Sequence, residues 1–397
     1  MIDDPETITN ELLQCLIQDK KPIGILLGAG CPYSIKDTAG EPLIPDICGL
    51  TNAVKNKLTA DDCAESWQNV CQQYNDDFGR EPNIEEILSR VRGLKDLAGG
   101  GQVRGLDKTK LESLESNICR EITNCANRKL ANSSTPYHNL ASWIGAVDRS
   151  EPVEIFTPNY DLLVEQAFEE LRLPYFDGFV GAHEPFFDPY SIEFDKLPPR
   201  WTRLWKLHGS INWRSREVDG GVNVWRSGVA EGGDVVIHPS HLKYEQSRKM
   251  PYLALMDRLK RFLSTPSAAL VIIGYSFADQ HLNDVILQSL QGTPSAIAFA
   301  LMFGPLGPYQ NVVRSAKNRA NLSLIAEDGA IIGTKRIVWR EASEKPETLF
   351  PGVIEWKSGE REGALWKVHC NLGDFRCFGA FLQGISGSKG LRGKTNE

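Results

Sequence analysis

The sequence predicts an α/β protein: a Rossmann-like, doubly wound parallel sheet with a helical insertion or module. Three observations predict it. Apolar runs of strand length recur without alternation, as in strands covered on both faces. Helical patterns separate the strongest of these runs. Several runs end directly in a glycine or a polar turn, the place where open α/β sheets hold ligands. At ~150 residues per domain, 397 residues allow two or three domains, or one large core with insertions.

Residues 6–20 read as a helix. Leu12, Leu13, Leu16 and Ile17 recur at helical spacing, Thr7 or Thr9 supplies the cap, and Pro22 ends the pattern. Ile23–Leu27 is a continuous apolar run that leads straight into Gly28-Ala29-Gly30. Residues 50–135 are polar, with helical spacings at Ile84, Ile87, Leu88 and Val91 and again at Leu111, Leu114, Ile118 and Ile122. Gly99-Gly100-Gly101 breaks them and reads as a mobile loop. Strand signals return at Val153–Phe156, Leu204–Leu207, Val235–Ile237, Leu270–Ile273 and Ile297–Phe303. A helix at His281–Leu290 separates the last two, and Leu322–Ile325 and Ile337–Trp339 read as terminal strands. The expected division is a core from residues 1–50 and 150–345, a helical module from 51–149 and a C-terminal extension from 346–397, its tail frayed from about 386.

Lys plus Arg total 44 and Asp plus Glu 51, so the formal net charge is −7, which argues against a surface built wholly for nucleic acid. A hydrophobic share of 41% excludes disorder as the main state. No segment reaches the about 18 apolar residues of a membrane span. The first residues lack the basic and apolar regions of a secretory signal. Nine scattered cysteines without a C-x-x-C pair read as reduced thiols in a cytoplasmic protein.

Four strand ends carry the candidate chemistry. Gly28-Ala29-Gly30 lets backbone approach a ligand, although position 33 is Tyr and the full G-x-G-x-x-G is absent; the alternative is a tight structural turn. In Thr157-Pro158-Asn159-Tyr160-Asp161, Asn159 and Asp161 point to one side if the chain is extended, an amide and a carboxylate that could hold a ribose, a carboxamide or a water. The alternative is that Asp161 caps a helix over 162–171. His208, in Lys206-Leu207-His208-Gly209-Ser210, is placed for general acid or base work, or is a structural histidine. Gly274-Tyr275-Ser276 opens the His281 helix; Gly274 and Ser276 suit phosphate or ribose, unless Ser276 or Asp279 simply caps the helix. His238 and His241 read as loop residues too isolated to hold a metal.

Taken in order, Gly-Ala-Gly, Thr-x-Asn-x-Asp, Lys-Leu-His-Gly-Ser and Gly-Tyr-Ser-Phe-x-Asp resemble the sirtuin family over residues 20–340. More closely they resemble the zinc-less sirtuin-like domains of bacterial anti-phage defence systems. That resemblance implies NAD+ as substrate. Gly28, Ala29 and Gly30 would pack against its diphosphate, with Thr157, Gly274, Tyr275 and Ser276 as further nucleotide contacts. Asn159 would orient the nicotinamide ribose and water, Asp161 the carboxamide, and His208 would be the general base.

No cysteine lies between Cys125 and Cys370, so the four-cysteine zinc module of deacylating sirtuins has no counterpart and no zinc is expected. The implied activity is NAD+ hydrolysis to nicotinamide and ADP-ribose, in abortive infection. A non-catalytic NAD or ADP-ribose sensor is the alternative, and a deacylase fits least. The resemblance also implies a homo-oligomer and a HerA-like DNA-translocating ATPase as partner, with an Argonaute-type protein as the alternative. Phe350, Trp356, Trp366, Phe375, Phe378 and Phe381 would serve an oligomer contact or the core.

Overall fold

The computed structural model describes residues 4–60, 62–147, 149–218, 221–228, 234–237, 251–358 and 365–386. His238, His241 and the tail from 387 lie outside the described residues. Helix α1 (Pro5–Leu16) begins one residue earlier than its apolar spacing indicates. Asp4 caps it, accepting from the Glu6 N–H at 3.0 Å, and Pro5 fits the first helical position, where no N–H is needed. Thr9, an expected cap, sits inside the helix and donates its hydroxyl to the Pro5 carbonyl at 2.8 Å.

Strand β1 (Ile23–Leu27) is wholly buried and feeds the short helix α2 (Gly30–Ser34). The polar stretch that follows holds α3 (Ile47–Leu58), α4 (Ala64–Phe78), α5 (Ile84–Ala98) and α6 (Lys108–Ala126). The glycine triplet ends α5 and turns into a hairpin, β2 (Gln102–Val103) and β3 (Leu106–Asp107), which the sequence pattern does not signal. These four helices share one apolar cluster, which also takes in Ile211 and is flanked by Tyr160 and Leu162. Helix α7 (Pro136–Ala146), inside the stretch read as helical module, packs instead in the cluster beneath the sheet.

The chain continues through β4 (Glu154–Thr157), α8 (Leu163–Glu170), β5 (Tyr175–Phe176), β6 (Phe179–Val180), β7 (Phe186–Phe187), α9 (Pro189–Phe194) and β8 (Thr202–Lys206). Then come β9 (Gly209–Val218), β10 (Gly221–Arg226), β11 (Asp234–Ile237), α10 (Tyr252–Leu263) and β12 (Ala269–Ile273). After these follow α11 (Gln280–Gly292), β13 (Ile297–Leu301), α12 (Gln310–Ala316), β14 (Leu322–Ala326), β15 (Gly329–Ile332) and β16 (Lys335–Val338). The last elements are β17 (Glu341–Ala342), β18 (Ile354–Ser358), β19 (Trp366–Cys370) and α13 (Phe375–Ile385).

The main sheet has nine strands in the order β16-β15-β14-β13-β12-β1-β4-β8-β5. From β14 to β5 all neighbours run parallel; β15 and β16 add an antiparallel edge. The order reverses at β1: the chain goes out one side through β4 and β8 and returns on the other through β12. Such a reversal leaves a crevice at the carboxyl ends of the strands.

One strand assignment changes. Val235–Ile237 was expected beside the parallel strands, but β11 belongs to a separate antiparallel sheet, β11-β9-β10-β7-β6. The chain leaves the main sheet after β8, where Gly209 holds φ +91°, and β10 and β11 then line the two sides of β9, each antiparallel to it.

The C-terminal aromatics resolve toward packing. Trp356, Phe375, Phe378 and Phe381 are buried in the sheet's cluster, and Phe350 and Trp366 pack against it. Among the described residues no helix is long and apolar enough to cross a membrane.

Gly93 lies inside α5, and a Cβ there would meet nothing within 4 Å. Gly93→Ala should therefore raise stability by about 1 kcal/mol in urea unfolding, by removing backbone freedom from the unfolded chain. An unchanged or lower midpoint would contradict this packing.

Candidate functional site

The crevice at the reversal holds a cavity of about 570 Å³. It collects the turns after β1, β4, β8, β12 and β13, and it is closed by the starts of α3, α5 and α13.

Two of these turns are pressed together. The Gly28 N–H donates to the Ile273 carbonyl at 2.9 Å, and the Gly30 N–H to the Gly274 carbonyl at 2.8 Å. A Cβ on Gly28 would lie 2.3 Å from the Gly274 oxygen, and one on Gly274 2.6 Å from the Cys31 nitrogen. Gly274 also holds φ +66°, a left-handed value that favours glycine. So Gly28 and Gly274 have a packing reason to be glycine. Ala29, Gly30, Gly274, Tyr275 and Ser276 line the cavity.

The loop after β4 is tied to the same floor. Thr157 is buried; its hydroxyl donates to the Leu27 carbonyl at 2.8 Å and accepts from the Asn159 N–H at 3.1 Å. It therefore clips β4 to β1, and the lining begins with Pro158. Asn159 Nδ2 donates to the Gly28 carbonyl at 3.1 Å, which fixes which way its amide points. Asn159 and Asp161 both line the cavity.

Asp161 has the two functions left open by the sequence. Its Oδ1 accepts from the Leu163 N–H at 3.0 Å, opening α8, while the residue borders the cavity. Behind it, Lys206 Nζ donates to the Asp161 carbonyl and lies 3.1 Å from Glu165 Oε1. Burial pushes the carboxyl groups of Asp161 and Glu165 up, with Lys206 as the main opposing influence.

His208 sits in the turn after β8, 3% exposed. Its Nε2 lies 3.1 Å from Asp279 Oδ2, so the two buried groups are partners. Asp279 Oδ1 meanwhile caps α11, accepting from the N–H groups of His281 and Leu282. Burial works against the His208 cation, but the Asp279 carboxylate outweighs it, with a lesser contribution from Glu85, so the imidazole titrates above its ordinary value. Burial likewise opposes the Asp279 anion, and His208 outweighs it, so that carboxyl titrates low. Tyr275 steadies the same turn, donating its hydroxyl to Asn283 Oδ1 at 2.8 Å.

Sequence reasoning reached Asp279 only as a cap and missed its approach to His208. It also missed the contribution of the helices. Asn83 and Glu85 from the start of α5, and Asp374 and Arg376 from the start of α13, line the cavity from far along the chain. No local pattern marks them, because their role depends on how the helices dock. Among the described residues no group of three or more His, Cys, Asp or Glu side chains could hold a metal ion.

Residues 153–325 match the family model of the SIR2-like domain. The match takes in Asn159, Asp161, His208, Gly274 and Asp279 and leaves out Gly28–Gly30. A solved structure described as the crystal structure of a Sir2 homolog–NAD complex aligns at 13% identity, covering 79% of this chain and 87% of its own, with a TM-score of 0.35. No curated protein matches the chain.

The buried ion cluster behind Asp161 generates a test. Lys206→Met should cost about 3–5 kcal/mol in denaturant unfolding, because it strands the Glu165 carboxylate without its cation. A loss below about 1 kcal/mol would show that the cluster carries little charge.

Proposed function

We propose that this chain hydrolyses NAD+ to nicotinamide and ADP-ribose in the crevice at the β1 reversal. The observation that carries the reading is the convergence of Asn159 and the buried His208–Asp279 pair on one cavity at that crevice. The similarity of residues 153–325 to the SIR2-like domain supports a nucleotide of this class. The cavity volume suits a ligand that size, and the Ala29–Gly30 and Gly274–Ser276 turns bring backbone to its wall.

The chemistry asks little of the protein. The bond between the ribose C1′ and the nicotinamide nitrogen breaks, and its electron pair leaves with nicotinamide as a neutral molecule. C1′ passes through an oxocarbenium-like state. Water forms the new C1′–O bond, and its proton passes to His208 and then to solvent. Asn159, with Nδ2 committed to the Gly28 carbonyl, presents Oδ1 to the attacking water or a ribose hydroxyl. Asp161 holds the carboxamide. His208 acts as base only when neutral, and Asp279 fixes the direction of its ring.

In this reading the protein is the effector of a cytoplasmic anti-phage defence system. It acts by depleting NAD+, as a homo-oligomer regulated by a HerA-like DNA-translocating ATPase. An unregulated NADase would kill its host, which is the reason to expect such control.

Asn159→Ala and His208→Ala should each lower nicotinamide release by at least about 100-fold while leaving the folded state intact, as expected for lost general base and water positioning. Full turnover in both folded variants would overturn the reading. The raised His208 pKa has a further consequence. Activity should rise with pH through an acid limb above about 6.5, the free-imidazole value. In Asp279→Asn the opposing burial dominates, so the limb should move to lower pH. A limb that stays in place would remove Asp279 from this role.

A further inference from the structure

We propose that Glu85, carried by the helical module, is a further catalytic residue, its carboxylate facing the ribose carbon that loses nicotinamide. This rests on the hydrolase reading of the same cavity.

An oxocarbenium-like state carries positive charge at C1′, and glycoside-cleaving sites answer it with a carboxylate. Other carboxylates at the cavity wall have partners of their own, as Glu85 has in Tyr160. Asp161 opens α8, Asp279 divides itself between α11 and His208, and Asp374 pairs with Arg376 at 2.7 Å.

Glu85 is held at the catalytic loop. Tyr160, the neighbour of Asn159, donates its hydroxyl to Glu85 Oε1 at 2.9 Å. Tyr160 itself packs against the apolar cluster of the helical module.

The start of α5 is built to keep the carboxylate there. Asn83 Oδ1 accepts from the N–H groups of Glu85 and Glu86, and Glu86 returns a carboxylate to the Asn83 N–H at 2.9 Å. Glu86 also pairs with Arg80, and Ile84 is fully buried. Consecutive residues are thus sorted: Ile84 into the module core, Glu86 into the cap, Glu85 onto the cavity wall. The module therefore supplies part of the reacting site, and NAD+ would meet all of its catalytic groups only with α5 docked on the Tyr160 loop.

The test separates charge from packing. Glu85→Gln keeps the shape and an acceptor for the Tyr160 hydroxyl but loses the charge; Tyr160→Phe keeps the charge and loses the hydrogen bond. Two readings are taken from the full chain. The first is kcat and KM for nicotinamide release. The second is binding of NAD+ and of ADP-ribose by titration calorimetry in the Asn159→Ala background, where turnover is slowed.

Glu85→Gln should lower kcat about 100-fold or more while raising KM only severalfold, and Tyr160→Phe should lower kcat less. Glu85→Gln should also weaken NAD+ severalfold and ADP-ribose hardly at all, because only NAD+ carries the nicotinamide cation. A rate for Glu85→Gln within threefold of the parent would overturn the inference, as would an equal loss in both variants with both ligands weakened alike. A parent chain that releases no nicotinamide would fail the hydrolase reading instead. Glu85 is then judged by calorimetry alone, where an unchanged NAD+ to ADP-ribose preference counts against it.

Discussion

The site depends on one close approach: the turn after β1 pressed against the turn after β12. Gly28 and Gly274 have no room for a side chain, because Gly28 faces the Gly274 backbone and Gly274 faces Gly30 and Cys31. Two hydrogen bonds across the contact hold the strand ends in register. The Gly28 carbonyl then accepts from Asn159, and the Leu27 carbonyl from Thr157, so the loop after β4 is positioned by the same glycine turn. Three strand ends meet in this way, and the cavity is the space they leave. A larger residue at 28 or 274 would separate them and displace Asn159.

Around that contact the protein buries charge in two groups. Lys206, Glu165 and Asp161 stand behind the loop after β4, and His208 and Asp279 stand at the ends of β8 and β12. Burying ions is expensive, so each group must be paired. The first pairs through Lys206 and the Asp161 carbonyl. The second pairs through the 3.1 Å approach of His208 Nε2 to Asp279 Oδ2, and both residues line the cavity.

Much of the parallel sheet was legible because strands covered on both faces read as continuous apolar runs. Ile23–Leu27 and Leu270–Ile273 illustrate this: both are fully buried, with no alternation to confuse them with edge strands. The strand-end motifs were legible because glycine and polar residues right after such runs have few other reasons to be there. The antiparallel sheet was harder. Val235–Ile237 has the same composition as a parallel strand, and its partner is β9, a strand that has already left the main sheet. Glu85 and Arg376 were not legible at all. A first-turn glutamate and an arginine are ordinary helix residues until the packing of α5 and α13 brings them to the crevice.

The most direct measurement is to incubate the purified chain with NAD+ and follow nicotinamide and ADP-ribose by chromatography. The account predicts equal release of both products, abolished when His208 is replaced. NAD+ recovered intact while bound at the same cavity, both with the chain alone and with its copurified partner, would contradict it and would make the crevice a binding site without turnover.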